Sequence, residues 1–271
     1  MKSVAIIGYG HVGKTMQQIF PEAVIYDINL DQYKSNRPEA NKCYLGIVCV
    51  PTPENPDGTC DISVVQDVVS WLETPLILIK STVPPGTTDY LKTRFSKRIA
   101  FSPEYSGEST YYLPEAFSPL GWPFLTVGGD KTDTRAVVEV FQPRLGPAKT
   151  FLQTDARTAE LTKYMDNAWL AMQVTFANEF WEIARVSGVD YGDLREAWAL
   201  DPRVSKYHTL VFADRRGFGG KCLPKDLKAI ISTAEQQGYS PQFLQAIWAN
   251  NLRFTEKNHV TGDHASEERL R

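Results

Sequence analysis

A glycine-rich turn stands directly after the first apolar run of the chain. Val4 to Ile7 is followed by Gly8-Tyr9-Gly10-His11-Val12-Gly13 and then by a helix-compatible stretch, Lys14 to Phe20. In a strand-turn-helix unit the first glycine makes the tight turn, the second lets the backbone approach a pyrophosphate, and the third allows close helix-to-strand packing. The helix N-terminus then faces the phosphates. The motif predicts a dinucleotide site formed by Gly8, Gly10, His11, Val12 and Gly13.

An acidic residue ends the second apolar run. Ala23 to Tyr26 reads as a strand, and Asp27 follows it. A carboxylate at this place can accept hydrogen bonds from both ribose hydroxyls, and it would repel a 2′-phosphate. The sequence therefore favours NAD over NADP, although Asp27 taken alone could also be a simple turn residue.

Later apolar runs, at 44–50, 76–80, 99–101 and 124–127, are mostly separated by helix-compatible or polar segments. This alternation predicts a mostly parallel, doubly wound sheet, an α/β fold of the Rossmann-like type. Ligands bind such sheets beyond the carboxyl ends of the strands. The loops there offer Thr52, Thr82 and Glu104, although each neighbouring proline could merely end its strand.

The second half of the chain reads as helical. No proline or glycine interrupts the stretch between Asp155, a plausible N-cap, and Ser187, and Gly188 can cap the end of one long helix. Two shorter helices are predicted over 223–238 and from 241 to about 255. We therefore expect a nucleotide-binding domain over 1–153, a long helix plus a small helical domain over 154–255, and a polar tail over 256–271.

A thiol lies within Gly217-Phe218-Gly219-Gly220-Lys221-Cys222-Leu223-Pro224-Lys225-Asp226. The glycines allow positive φ values and close approach of a substrate to the sulfur. Lys221 and Lys225 would favour the thiolate, the reactive form. From local chemistry alone, Cys222 could equally be a small buried hydrophobic residue.

Composition excludes several classes of function. The net charge of −3 and pI near 5.9 provide no basic field for nucleic acid. The apolar run at the N-terminus is too short for a signal peptide or a membrane span, so we expect a soluble cytoplasmic protein. The four cysteines show no disulfide pattern, and no His, Cys and Asp cluster has metal-ligand spacing, so no metal is predicted.

Five motifs occur in the order found in one enzyme family: Gly8–Gly13, Ser81–Thr88, Ser102–Glu104, Glu160–Ala168 and Gly217–Asp226. Over about residues 1–255 the chain resembles the UDP-glucose/GDP-mannose dehydrogenases, which oxidise the primary alcohol of a nucleotide sugar to a carboxylate with two NAD. The resemblance implies a homodimer whose helical domain dimerises, with a UDP-sugar favoured as substrate. It also implies a short form that lacks the family's C-terminal nucleotide-sugar-binding domain.

The resemblance also implies roles for residues. Cys222 would capture the aldehyde stage as a thiohemiacetal, which a second hydride transfer converts to a thioester that water hydrolyses. Lys163 would stabilise oxyanion charge, and Asn167 would donate a second hydrogen bond. Asp226 would position water and Lys163, and Thr82 and Glu104 would belong to the network that activates water and moves protons. The identity of the general base stays open.

Further contacts are implied in the same way. Cofactor contacts fall on Thr52, Thr82, Glu108 and Lys225. Substrate contacts fall on Glu104, Glu108, Lys163, Asn167, Gly219, Gly220 and Arg203, the last of which would reach the substrate of a neighbouring subunit. The segment 207–216 makes the spacing from Arg203 to Cys222 longer than the family pattern. Two alternatives remain open: a one-step NAD-dependent dehydrogenase of a smaller hydroxylated substrate, and a non-catalytic NAD-binding dimeric module.

Overall fold

A computed structural model of the chain describes residues 2–106 and 120–262, with side chains as far as residue 256. The chain divides into two compact units. Unit one comprises residues up to Asn55 and from Cys60 to Lys163, and unit two comprises Pro56–Thr59 and the chain from Tyr164 onward.

Unit one contains one sheet in the order β2-β1-β3-β4-β5-β6-β7. Its strands are β1 Val4–Ile7, β2 Val24–Tyr26, β3 Leu45–Val48, β4 Leu76–Ile79, β5 Ile99–Phe101, β6 Phe124–Gly128 and β7 Thr150–Thr154. Neighbouring strands pair parallel except β5 and β6, which meet antiparallel at Phe101 and Gly128. The prediction of a mostly parallel Rossmann-like sheet is confirmed. The polar strand β7 was not predicted.

The strands β1, β3, β4 and β5 are buried on both sides because helices cover both faces of the sheet. Successive side chains of a strand point to opposite faces. Ile6 accordingly packs in one buried cluster with Phe20 and Phe141, and Ile7 packs in another with Val69 and Leu91. The covering helices of unit one are α1 His11–Ile19, α2 Arg37–Asn41, α3 Ser63–Trp71, α4 Thr87–Phe95 and α5 Lys131–Leu145.

The strands β1 and β3 lie side by side in the sheet. Beyond β1 comes β2, and beyond β3 on the other side comes β4, so the strand order reverses between β1 and β3. In open α/β sheets the crevice for a ligand lies at such a reversal, outside the carboxyl ends of the strands. Because β1 to β5 are parallel, the loops that follow them emerge at the same edge. That edge therefore carries Gly8, Asp27, Thr52, Thr82 and Glu104.

The long helix α6 spans Ala156–Val186. Asp155 caps its start, since its Oδ1 accepts a hydrogen bond of 2.8 Å from the Thr158 amide. At its end Gly188 has a φ of +68°, and the Val189 amide donates to the Ala184 carbonyl at 2.9 Å. Both caps are those predicted from the sequence.

Unit two adds α7 Tyr191–Trp198, α8 Leu223–Gln236 and α9 Gln242–Gly262. Ala168, Ala171, Phe218, Leu227 and Ile247 form its buried cluster. Helix α9 runs past the predicted end near Thr255, and α7 was not predicted. In the described part of the chain, no helix is long and apolar enough to cross a membrane.

Candidate functional site

The turn between β1 and α1 needs glycine at its two ends for different reasons. Gly8 has a φ of +91°, and a Cβ there would lie 2.7 Å from the Cys49 carbonyl oxygen. A Cβ on Gly13 would lie 2.1 Å from the Gly8 carbonyl oxygen. At Gly10, by contrast, a Cβ would meet no atom of the described chain within 4 Å. The turn is therefore packed tightly against its own fold and leaves space in front of the α1 N-terminus.

Asp27 directly follows β2 and is half-buried. Its Oδ2 accepts a 2.7 Å hydrogen bond from the Tyr9 amide, and its Oδ1 accepts one of 2.8 Å from the Asn29 amide. Each carboxylate oxygen has a second acceptor site, so the group keeps capacity for ribose hydroxyls. The carboxylate is thus fixed beside the glycine turn, and its contact with NAD stays a prediction.

Hydrogen bonds also join the neighbouring loops of unit one. His11, exposed at the start of α1, places its Nε2 3.1 Å from the Ser106 carbonyl oxygen, and Val12 packs partly buried against the core. The buried Thr52 hydroxyl donates to the Thr82 carbonyl oxygen at 2.9 Å. The loops after β3 and β4 are therefore held together.

A buried ion pair links the ends of β4 and β5. Lys80 Nζ lies 3.2 Å from Glu104 Oε2, with side-chain exposures of 2% and 10%. The ammonium also donates to the Pro103 carbonyl at 2.9 Å, and the Tyr105 and Ser106 amides donate to Glu104 Oε1 at 3.1 and 2.8 Å. This cage satisfies both charges.

The cage decides the ionisation of Glu104. Burial alone would raise its pKa, but the charge of Lys80 and the hydrogen bonds from Ser106 outweigh burial, and the pKa lies below its ordinary value. Nearby, burial raises the pKa of the Cys49 thiol far above its usual range, although Lys80 opposes that shift. Glu104 is therefore a carboxylate at neutral pH and Cys49 a thiol.

A second buried carboxylate shapes the loop that carries Thr82. Glu160, on α6, is fully buried and accepts hydrogen bonds from the Gly86 amide at 2.5 Å, the Thr88 amide at 2.8 Å and the Thr88 hydroxyl at 2.6 Å. Burial raises the pKa of Glu160, and these donors oppose the shift. The carboxylate caps the start of α4 and fixes the end of the loop 81–86.

A small cavity of about 30 Å³ adjoins Glu104 and is lined by Lys80, Tyr105, Trp122 and Phe124 among others. This is room for about one water molecule. The buried Trp122 Nε1 has no hydrogen-bond partner in the described residues, so a polar group is available at this wall. Lys163, the last residue of unit one, holds its Nζ 5.3 Å from the centre of the Tyr105 ring.

Unit two holds Asn167, Asp226 and Lys225 in one cluster. The Asn167 Nδ2 donates to the Asp226 Oδ2 at 2.5 Å, and the Lys225 ammonium lies 2.5 Å from the Asp226 Oδ1. Asn167 and Asp226 are 3% and 2% exposed. Helix α6 is thereby tied to the first turn of α8.

Cys222 is exposed and stands at the N-cap of α8. The partial positive charge of a helix N-terminus stabilises an anionic thiolate. Gly219 and Gly220 precede it with open space around both, and Gly220 has a φ of +77°. The sulfur therefore lies where a substrate can reach it. The other three cysteines, all in the described part of the chain, are buried, and no disulfide joins the four.

Arg203 lies in unit two with an exposed side chain. Its guanidinium is bound within its own loop, with Nη2 2.5 Å and Nε 3.0 Å from the Asp201 carboxylate. The segment after it is attached to α7, since the Tyr191 hydroxyl donates to the Thr209 carbonyl at 2.9 Å. Glu108, predicted to contact cofactor and substrate, lies outside the described residues.

Sequence reasoning missed Lys80 and the role of Glu160. Lys80 looked like the end of an apolar strand, although a lysine closing a run of Leu-Ile-Leu-Ile signals a buried charge that needs a carboxylate partner. Glu160 stood inside a recognised motif, but its three donors lie more than 70 positions earlier in the chain, at Gly86 and Thr88. No local pattern specifies such a pairing.

Two family profiles match the chain. Residues 21–119 match the UDP-glucose/GDP-mannose dehydrogenase family, NAD binding domain, and residues 157–253 match the central domain of the same family.

Individual relatives carry the same names. UDP-glucose 6-dehydrogenase AglM of Haloferax volcanii is 30% identical, over 90% of this chain and 68% of that protein. UDP-glucose 6-dehydrogenase of Pseudomonas aeruginosa is 31% identical, over 77% of this chain and 48% of that protein. A solved UDP-glucose dehydrogenase from Pyrobaculum islandicum has a TM-score of 0.78 at 25% identity, over 93% of this chain and 68% of that one. The chain thus spans about half to two thirds of the length of these relatives.

Proposed function

Because this chain belongs to the UDP-glucose/GDP-mannose dehydrogenase family and carries its NAD binding domain, we propose that it acts as an NAD-dependent dehydrogenase of a nucleotide sugar. The favoured substrate is a UDP-sugar with a primary alcohol, in line with the UDP-glucose 6-dehydrogenases among its relatives. The observation that carries the proposal is the exposed Cys222 at the start of α8, beside the buried Asn167–Asp226 pair.

NAD, when bound, supplies the hydride acceptor for each of the two oxidations. Between them, the Cys222 thiolate adds to the aldehyde carbon and gives a thiohemiacetal. Loss of a second hydride gives a thioester, and water displaces the thiolate to yield the carboxylate. One alcohol and one water are consumed for two hydrides, and the released protons pass to a base or to solvent.

The charges of the side chains support distinct roles. Lys163 would stabilise oxyanion charge, and Asn167, which Asp226 orients, would donate a second hydrogen bond. Glu104 is ionised beside Lys80, so it can accept a proton but has none to give. We therefore assign Glu104 the role of proton acceptor from water, adjacent to a cavity with room for one molecule.

We also propose that the active protein is a homodimer and that Arg203 reaches the substrate of the partner subunit. An exposed apolar surface, the aromatic face, consists of Phe176 and Phe180 on α6 and Trp198 on α7. The Phe176 ring centre lies 4.7 Å from that of Phe180 and 5.8 Å from that of Trp198. Contiguous exposed aromatics of this kind mark interaction surfaces.

The test is to incubate the chain with NAD and a panel of UDP- and GDP-sugars, counting NADH by absorbance and acid by mass spectrometry. We expect two NADH for each acid formed. Cys222→Ser should abolish acid formation but retain NAD binding, because the serine hydroxyl is not ionised at neutral pH.

Other results would contradict parts of the proposal. Acid formation by Cys222→Ser at the wild-type rate would remove the covalent route. One NADH per carbonyl product would favour the one-step oxidation of a smaller substrate. NAD binding without NADH from any sugar would favour a non-catalytic module.

A further inference from the structure

Residues 217–222, the thiol loop, directly follow a buried arginine. Arg216 is 5% exposed, and its guanidinium stacks on Trp181 with 4.0 Å between Cζ and the ring centre. Its Nε donates to the Asn178 Oδ1 at 2.7 Å, its Nη2 to the Asn178 carbonyl at 3.1 Å, and its Nη1 to Glu182 at 3.1 Å. All of the nitrogens of the planar group thus face α6.

Asn178 also holds the backbone of the loop itself. The Gly217 amide donates to the same Asn178 Oδ1 at 3.2 Å, so arginine and glycine share one acceptor. The Asn178 Nδ2 donates to the Val174 carbonyl at 2.8 Å, which fixes the amide with its oxygen toward the loop.

Helix α9 holds the next residue. The Asn251 Oδ1 accepts from the Phe218 amide at 2.6 Å, and the Asn251 Nδ2 donates to the Phe218 carbonyl at 3.0 Å. A Cβ on Gly217 would lie 2.6 Å from that Asn251 oxygen. The backbone at 216–218 is therefore clamped between two helices and leaves no space for a side chain at position 217.

Downstream of the clamp the loop is open. Gly219, Gly220 and Lys221 are exposed, and the Asn167–Asp226 hydrogen bond attaches the first turn of α8 to α6. Cys222 lies between these two attachments, and both lead to α6, at Asn178 and Asn167. The position of the sulfur over the α8 N-terminus therefore depends on both.

We propose that Arg216 is a positioning residue for Cys222: its contacts with Asn178 hold the thiol loop on α6 and keep the sulfur at the α8 N-terminus. A buried arginine is a costly way to fill space, since a guanidinium must retain its hydrogen bonds inside the protein. The planar fork is suited to binding a side-chain and a main-chain oxygen of one residue together. The catalytic consequence rests on the function proposed above, whereas the consequence for thiol reactivity does not.

The test compares Arg216→Met and Arg216→Lys with Arg253→Met. Arg253 is a matched control in unit two, because it pairs with Glu179 on α6 and contacts Phe254, as Arg216 does, but its side chain is half exposed. In each folded variant we would measure the rate of Cys222 carboxymethylation by iodoacetate, the Kd for NAD, and the two oxidations separately.

In Arg216→Met we expect slower carboxymethylation, because the released sulfur loses the helix N-terminus that stabilises its thiolate. Acid formation should fall about 100-fold, since misplacement of a reacting group by about 1 Å has this effect. The Kd for NAD should not change, so the first oxidation should continue. The aldehyde that Cys222 no longer captures should then be released and accumulate. Arg216→Lys should recover part of both rates, and Arg253→Met should match the wild type.

Equal carboxymethylation and acid formation in Arg216→Met and Arg253→Met would overturn the inference. If Arg216→Met does not fold, Arg216→Lys decides, because it keeps the charge toward Glu182 but loses the fork on Asn178. If the wild type forms no acid from any sugar, the proposed function fails. The carboxymethylation rates alone then support or refute the role of Arg216.

Discussion

Lys80 and Glu104 form a buried ion pair inside unit one. Removing one partner of a buried pair leaves the other charge without compensation, which costs about 3–5 kcal/mol. We therefore expect Lys80→Met to lower the free energy of unfolding by an amount of this order, measured by urea denaturation. The exposed pair of Lys42 and Glu39 is the control, and Lys42→Met should leave the urea midpoint unchanged. A loss no larger than in the control would show that the cage does not stabilise unit one.

The same pair predicts the response of stability to acid. The folded-state pKa of Glu104 lies below the unfolded value, so the folded state binds this proton less readily. Its contribution is present above the ordinary glutamate pKa of about 4.3 and is lost as the pH falls through the lower folded value. Glu104→Gln should remove this part of the acid dependence in urea titrations between neutral and acid pH. A variant with an unchanged pH profile would contradict the ionised state assigned to Glu104.

For single residues, the sequence identified side chains at the ends of strands more readily than the groups that buried charges contact. Glu104 and Thr82 were recognisable because each follows an apolar strand within a motif. Lys80 and Arg216 were not, because a buried charge is explained only by the group that it meets in the folded chain. Those partners are Glu104 for one and Asn178 with Glu182 for the other.

Within the β1–α1 element, two glycines should respond differently to the same methyl group. Gly13→Ala would place a Cβ against the Gly8 carbonyl, and overpacking of this kind costs about 1–3 kcal/mol. Gly10→Ala meets no atom of the described chain, and the φ of −75° there suits alanine, so stability should stay within about 1 kcal/mol.

Both variants should bind NAD more weakly, as measured by calorimetry. Only Gly13→Ala should also unfold at a lower temperature, as measured by thermal denaturation. The Gly10 methyl would occupy the space that a pyrophosphate needs at the helix N-terminus. Unchanged NAD affinity in Gly10→Ala would place the pyrophosphate elsewhere.

Most elements were predictable because a buried strand or an amphipathic helix has an apolar pattern. The strands β1 to β6 follow this rule, whereas the ends of α6 were marked by the capping residues Asp155 and Gly188. β7 was not predicted because Thr-Phe-Leu-Gln-Thr is an edge strand whose side chains are mostly exposed, so it lacks the apolar composition of a buried strand. The antiparallel direction of β6 is likewise set by pairing with β5 and not by residue type.

For the whole molecule, assembly is the property that the aromatic face predicts. Exposure of Phe176, Phe180 and Trp198 is unfavourable in water, and a second copy with the same face would cover it. We expect the wild type to sediment as a dimer and Phe180→Glu to sediment as a monomer that still binds NAD. Phe243→Glu is the control, since this exposed phenylalanine lies on α9 and outside the aromatic face. A monomeric wild type would contradict the proposed dimer.

The antiparallel junction in the sheet bears on how unit one comes apart. In the described residues β5 and β6 share one paired position, Phe101 with Gly128, whereas β6 and β7 share five. Strands that share fewer hydrogen bonds separate more readily, so the sheet should separate most readily between β5 and β6. The element β6–α5–β7 can therefore open as a cooperative unit while β1 to β5 stay paired, opposed by apolar packing such as that of Phe141 on Phe20 and by ion pairs such as Arg98 with Asp133. Partial unfolding along this line would spare the edge that carries Gly8, Asp27 and Thr52.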